Sequence, residues 1–292
     1  MFRGSIVALV TPFRADGSVD EEVLRQLVRW HLDQGTDAIV PCGTTGESPT
    51  LTHDEHREVI AIVVDEVKRR VPVIAGTGSN STHEAVSLTR FAAECGADAA
   101  LVVSPYYNRP SPRGIETYYK TVADASALPV IIYNVPARTG SNVTPDVVAR
   151  LATHPRIVAI KEASGSLDQA GRILKETQLT VLAGDDALTL PLMCLGAKGV
   201  VSVAANVMPR AMHRLTEELL APALEAAREL HFRLHALFGA LFIESNPGPV
   251  KEALELMGRI PSARLRPPLA ALLPENREKL RQVLHSLDLL PG

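Results

Sequence analysis

The sequence predicts an α/β chain folded as a (β/α)8 TIM-type barrel with a C-terminal helical extension, and three observations carry that prediction. Eight short β-branched runs occur at residues 6–10, 38–41, 72–75, 99–103, 130–133, 157–160, 180–183 and 199–203. They follow one another at intervals of roughly 20 to 35 residues, the length of a βα unit. Several are apolar throughout instead of alternating, as expected of parallel strands covered on both faces. The stretches between them carry helix-start chemistry. An open doubly wound sheet shows the same alternation and is the competing architecture; the count of eight favours the closed form.

The helix signals are local and specific. Within residues 21–34, Val23, Leu27 and Trp30 fall on one apolar stripe. Thr52-x-x-Glu55, Ser81-x-x-Glu84 and Ser166-x-x-Gln169 read as capping boxes. Thr144-Pro145 and Asn246-Pro247 each place an N-cap residue before a first-turn proline. After Leu220 the strand signals stop, so the chain divides into a catalytic barrel over 1–221 and a helical region over 222–292. The helical region is expected to serve structure or assembly rather than chemistry.

A chain of 292 residues holds such a barrel with room for an extension. The apolar share of 46% and charged share of 22% are those of an ordinary globular protein, which argues against disorder. With 30 basic and 33 acidic residues, the net charge of −3 advertises no partner among nucleic acids or anionic membranes. Cys42, Cys95 and Cys194 are scattered and odd in number, which fits a reducing compartment better than a disulfide framework. The apolar run at 6–10 is too short for a signal-peptide core, and no apolar stretch approaches ~20 residues. The expected location is the cytoplasm.

Barrel chemistry sits where strands end, so those positions are read first. The sixth run ends in Lys161-Glu162. A lysine directly after four apolar strand residues is an exposed terminus, half of an ion pair with Glu162, or an amine nucleophile. Withdrawal from water disfavours the ammonium form of a lysine and leaves free amine able to attack a ketone. Tyr133 ends the neighbouring run, either as a core tyrosine or as a proton shuttle. Arg138 stands in the Pro/Gly-rich loop that follows, either solvated or gripping a carboxylate with its two-pronged donor face.

The second run leads into Cys42-Gly43-Thr44-Thr45-Gly46-Glu47-Ser48, a plain tight turn or a carboxylate and proton-relay loop. It lacks the Lys-Ser/Thr ending of a nucleotide loop, and Gly76-Thr77-Gly78 lacks the third glycine of a dinucleotide loop. The adjacent Tyr106 and Tyr107 either staple a loop or meet a partner subunit. His53 with His56 and His231 with His235 have helical spacing but no third ligand, so helix-surface histidines are expected and no metal.

Taken together, Gly43-Thr44-Thr45-Gly46-Glu47, Tyr133-Asn134-Val135-Pro136-x-Arg138-Thr139-Gly140 and the strand-end Lys161 resemble the dihydrodipicolinate synthase family. This family belongs to the N-acetylneuraminate lyase group of class I aldolases. The resemblance runs from the first strand to Pro247-x-Pro249-Val250-Lys251. It implies a lyase of lysine and diaminopimelate biosynthesis that joins pyruvate to L-aspartate 4-semialdehyde, giving 4-hydroxy-tetrahydrodipicolinate. The implied route uses a Schiff base on Lys161 and no cofactor. Thr44, Tyr107 and Tyr133 resemble the family's proton relay, with Tyr107 supplied by a neighbouring subunit. Thr45 resembles the residue holding the pyruvate carboxylate, and Arg138 the one binding the semialdehyde carboxylate; Gly184 and Val201 match positions around the site. Ser48, His53, His56, Asn80, Glu84 and Tyr106 match a pocket for allosteric inhibition by lysine. The implied assembly is a homotetramer, a dimer of dimers. Another imine-forming aldolase, acting on N-acetylneuraminate or a 2-keto-3-deoxy sugar acid, shares Lys161 and Tyr133. Such enzymes commonly lack the loop arginine, so Arg138 together with Tyr107 favours the first reading.

Overall fold

The computed structural model describes residues 2–221 and 223–290. Its first six strands and the helices among them are β1 Gly4–Ala8, α1 Glu21–Asp33, β2 Ala38–Val40, α2 His53–Val67, β3 Ile74–Gly76, α3 Thr82–Cys95, β4 Ala99–Val103, α4 Pro112–Asp124, β5 Val130–Asn134, α5 Pro136–Thr139, α6 Pro145–Leu151 and β6 Ile157–Glu162. There follow α7 Leu167–Glu176, β7 Thr180–Ala183, α8 Thr189–Leu195, β8 Gly199–Ser202, α9 Pro209–Leu220, α10 Leu224–Ala240, α11 Gly248–Leu256 and α12 Pro274–Ser286. The eight strands pair in parallel in the order β2-β1-β8-β7-β6-β5-β4-β3. A parallel bridge between Ile39 and Val73 joins the two ends. Gly76 N–H donates to the Pro41 carbonyl across the same seam at 3.0 Å. The sheet is a closed (β/α)8 barrel, and each expected strand is present within a few residues of its expected bounds.

Alternation along the strands separates two cores. Ile6 and Ala8 join Ala38, Val40, Ile74, Ala99, Leu101, Ile131, Ala159, Leu182 and Val201 inside the barrel. Val7 and Leu9 turn outward into the larger layer between strands and helices. The mixture of alanine with branched side chains fills the interior, so the barrel is a packed core and not a pore. Each fully buried Ile, Leu or Val there stabilises the fold by roughly 1.5–3 kcal/mol.

Helix ends differ from the sequence expectation in instructive ways. Thr52 and Glu55 form the full reciprocal box at the start of α2. Ser81 and Ser166 cap α3 and α7 through their hydroxyls, but Glu84 and Gln169 do not turn back to complete a box. Glu84 instead accepts from Ser79 Oγ at 2.7 Å, and Gln169 donates to Glu162 at 3.2 Å. The buried stripe of α1 is Val23, Leu24, Leu27, Val28 and His31; Trp30 lies at its margin, only partly covered.

Asn246 is not an N-cap, because α11 begins at Gly248 after Pro247. Its side chain turns to the second loop instead, as described below. Pro222, where the sequence divides the chain, lies outside the described residues. Leu234, Leu237, Phe238, Val250, Leu254, Leu280 and Leu284 of the C-terminal helices belong to the same hydrophobic cluster as the barrel's outer layer.

Candidate active site

Strand register decides where the strand-end lysine points. A shift after Val130 pairs Val130 with Ile157 but Ile131 with Ala159, leaving Val158 as the extra residue. Beyond that bulge alternation is regular: Ala159 faces the interior and Ile160 the outer layer. Lys161 therefore faces the barrel axis and Glu162 faces away. Lys161 is 93% buried, and its Nζ lies 4.1 Å from the ring centroid of Tyr133, its register partner on β5.

Glu162 is not the lysine's partner. Its Oε1 accepts from Ser164 N–H at 2.7 Å, and its Oε2 accepts from Asn134 Nδ2 at 3.1 Å and Gln169 Nε2 at 3.2 Å. Asn142 bridges Asn134 and Gln169 in the same outward network. Three donors satisfy the carboxylate from the side away from the barrel, which leaves the amine of Lys161 free to face the cleft.

That cleft, about 430 Å³, opens at the carboxyl ends of the strands. Its lining includes Thr44, Thr45, Tyr133, Arg138, Lys161 and Gly184. Gly184 is required by packing: a Cβ there would stand 2.6 Å from that of Ala163. Val201 lies deeper, within the interior core, and Val203 reaches the cleft in its place. Tyr107 lies off the rim, 90% exposed and with a positive φ of 72°. Arg138 is exposed at the mouth, carried on the four-residue α5.

The loop after β2 is wound into tight turns by its own backbone hydrogen bonds. Gly46 and Ser48 N–H donate to the Gly43 carbonyl, and Glu47 N–H to that of Thr44. Among the described residues, the N–H groups of Thr44 and Thr45 donate to no protein acceptor, and both residues line the cleft. Thr45 Oγ1 accepts from Asn246 Nδ2 at 3.0 Å, so its own proton is free for another acceptor. Gly76 and Gly78 are required by close packing. A Cβ on Gly76 would meet the Cys42 carbonyl at 2.2 Å, and one on Gly78 the Val103 nitrogen at 2.2 Å.

A second cavity of about 420 Å³ adjoins the first and shares Thr44, Val135 and Arg138 with it. Ser48, His53, His56, Glu84 and Tyr106 line it, whereas Asn80 does not; Ser79 stands there instead. His56 is buried and donates from Nε2 to the Gly76 carbonyl at 2.7 Å. Burial holds its imidazole below the usual range.

Sequence reasoning missed Phe242 and Asn246, which close the Lys161 cleft from the C-terminal helical region. Asn246 sits in a run that reads as an ordinary helix start, and its role depends on a contact 201 residues away. The extension thus contributes to the cleft wall and is not structural alone.

A closed barrel with an inward lysine at a strand terminus, a tyrosine against it and two threonines of the second loop lining the same cleft defines an enzyme of the class I aldolase type. The model of the Dihydrodipicolinate synthetase family matches residues 1–287, and the chain belongs to that family. A protein of Geobacter sp. (strain M21) called 4-hydroxy-tetrahydrodipicolinate synthase is 56% identical over 292 residues, covering 99% of this chain and 100% of the relative. The crystal structure of dihydrodipicolinate synthase from Aquifex aeolicus superposes with a TM-score of 0.97 at 51% identity, covering 100% of both chains. A structure of the enzyme from Cyanidioschyzon merolae, which has lysine bound, gives a TM-score of 0.96 at 43% identity over 99% of both chains.

Proposed function

We propose that this chain is a lyase that condenses pyruvate with L-aspartate 4-semialdehyde to give 4-hydroxy-tetrahydrodipicolinate, in the biosynthesis of diaminopimelate and lysine. The observation that carries this reading is the buried Lys161 amine, aimed into a cleft that also holds Tyr133, Thr44, Thr45 and Arg138.

Chemistry follows from those positions. The amine adds to C2 of pyruvate and water departs, leaving an iminium ion. This cation draws electrons from C3, so a methyl proton is lost and an enamine forms. The enamine carbon attacks the aldehyde, whose oxygen is protonated. The semialdehyde's own amine then adds to C2 and displaces Lys161, closing the ring. Tyr133 and Thr44 move these protons, and Tyr107 of a neighbouring subunit completes the relay. Thr45 and the free N–H groups beside it hold the pyruvate carboxylate. Arg138 at the mouth takes the carboxylate of the semialdehyde, and the backbone around Gly184 and Val201 bounds the site.

In this reading residues 1–221 are the catalytic barrel, and 222–292 a helical region that also walls the cleft. The enzyme works in the cytoplasm as a homotetramer built from tight dimers. The second cavity binds lysine as feedback inhibitor through Ser48, His53, His56, Glu84 and Tyr106, with Asn80 nearby. The shared wall at Thr44 and Arg138 gives inhibition a short physical route to the chemistry. Among the described residues, no helix is long and apolar enough to cross a membrane.

The deciding experiment is a coupled assay offering pyruvate with aspartate semialdehyde or with sugar-derived aldehydes. Turnover with the semialdehyde, and an initial rate lowered by millimolar lysine, is expected. Activity with the sugar-derived aldehydes alone would refute the assignment.

A further inference from the structure

Glu47 closes the Gly43–Glu47 loop with a positive φ of 55°, a conformation unusual for a side chain of its size. Its carboxylate is fully withdrawn from water, yet satisfied. Oε1 accepts from Lys251 Nζ at 2.7 Å, and Oε2 accepts from Arg266 N–H at 3.0 Å. Lys251, likewise fully buried, also donates to the Arg264 carbonyl at 2.6 Å and lies 4.1 Å from the Phe13 ring centroid. Arg266 stacks on the other parts of this joint: its guanidinium lies 4.4 Å from the same ring and pairs with Glu55. The pair links residues 204 apart in sequence, tying the Gly43–Glu47 loop to the helical region.

Burying two opposite charges is a poor way to gain stability, because desolvation offsets much of their attraction. What such a pair supplies is geometry, since each group has one position in which it is satisfied. The geometry at stake is that of the loop: Glu47 N–H donates to the Thr44 carbonyl, and Thr44 and Thr45 line the cleft that Lys161 also lines. Thr45 is held again by Asn246, five residues before Lys251 on the same segment.

We infer that Glu47 and Lys251 form a positioning pair, through which the C-terminal helical region sets the carboxylate cradle of Thr44 and Thr45. The pair touches no substrate. It acts on the keto acid alone, by fixing where the carboxylate sits while Lys161 attacks the adjacent carbon. This rests on the imine-forming function proposed above. Burial draws the Lys251 ammonium down to about 8 while Glu47 opposes the shift, in keeping with a cation kept charged by its partner.

The test is borohydride trapping of pyruvate on Lys161, followed by mass, as a function of pyruvate concentration. Wild type and the double variant Glu47→Gln with Lys251→Met are compared; the double variant removes both charges and strands neither. The expected result is saturable trapping in wild type and an about tenfold rise in half-saturating pyruvate in the double variant. The semialdehyde KM should stay within about twofold, because Arg138 is on another loop. If the double variant does not fold, Lys251→Arg replaces it. That variant keeps the charge but cannot fit one donor between Glu47 and the Arg264 carbonyl, and an about threefold rise is expected. Half-saturation equal to wild type in a folded variant overturns the inference, since a purely structural pair would lower thermal stability and leave this quantity alone. Failure of wild type itself to trap pyruvate would instead overturn the imine reading.

Discussion

Two side chains separate covalent capture from substrate choice. Lys161 is held in place by backbone register and by the outward satisfaction of Glu162, not by an ion pair of its own. Truncating it therefore strands no buried partner. Lys161→Ala is expected to unfold within about 3 °C of wild type. Its turnover should fall by about three orders of magnitude or more, with no pyruvate adduct after hydride quenching. Calorimetry and intact mass check both halves; an adduct that persists would move the chemistry to another residue. Arg138 is exposed and its guanidinium makes no hydrogen bond or ion pair among the described residues, so it is available to an incoming carboxylate. Arg138→Ala should raise the semialdehyde KM by about 10- to 100-fold, the worth of a charge-assisted pair. Pyruvate trapping should remain near wild type. Equal losses in both steps would show that the arginine shapes the cleft instead.

At the scale of elements, the barrel was legible because parallel strands buried on both faces announce themselves as short apolar runs. Parity then gave Lys161 and Tyr133 a common destination once the strand ends were known. The second loop's glycines were ambiguous in sequence, because close packing and phosphate binding call for the same residue. Asn246 and Lys251 were illegible in their roles, which depend on contacts some 200 residues distant, while locally they look like helix-start and helix-core positions; Phe242 carries no local signal for lining the cleft.

Asp186, just after β7, is a similar case. Its Oδ2 accepts from Val203 and Ala204 N–H at 3.0 and 2.9 Å, fastening the end of β8 beside the cleft, while Oδ1 is buried with no partner among the described residues. Burial pushes its carboxyl up to about 6, against the hydrogen bonds that favour ionisation. Between the ordinary value of 3.8 and about 6, the folded chain holds more protons here than the unfolded one. This group's contribution to stability is therefore present at low pH and lost as pH rises through that window. Glu55 behaves oppositely: Arg266 draws it down to about 2, so its contribution is lost as pH falls below the usual range. Asp186→Asn keeps the acceptor and removes only the first effect. The difference in melting temperature, variant minus wild type, should grow by about 2–4 °C between pH 4 and pH 7. A pH-independent difference would rule out titration of Asp186 in that window.

For the molecule as a whole, the cleft is complete except for one member of the proposed relay. Tyr107 projects from the loop after β4 with 90% of its surface exposed, its backbone fixed by donation from its N–H to the Thr139 carbonyl at 3.3 Å. In the proposed function this outward aromatic side chain, held at a positive φ, is covered by another molecule. If that molecule is a second copy docked by a two-fold axis, each Tyr107 enters its partner's cleft, and the two sites of a dimer exchange one residue. Complementation follows from this geometry. Lys161→Ala and Tyr107→Phe should each be strongly impaired alone. Co-expressed, a heterodimer joins the intact Lys161 of one chain with the intact Tyr107 of the other in one of its two sites. With random pairing half the dimers are mixed, so activity should recover to about a quarter of wild type. Sedimentation would confirm that the assembly is at least dimeric. No recovery in a mixture shown to contain heterodimers would place Tyr107 in its own chain's chemistry or outside it altogether.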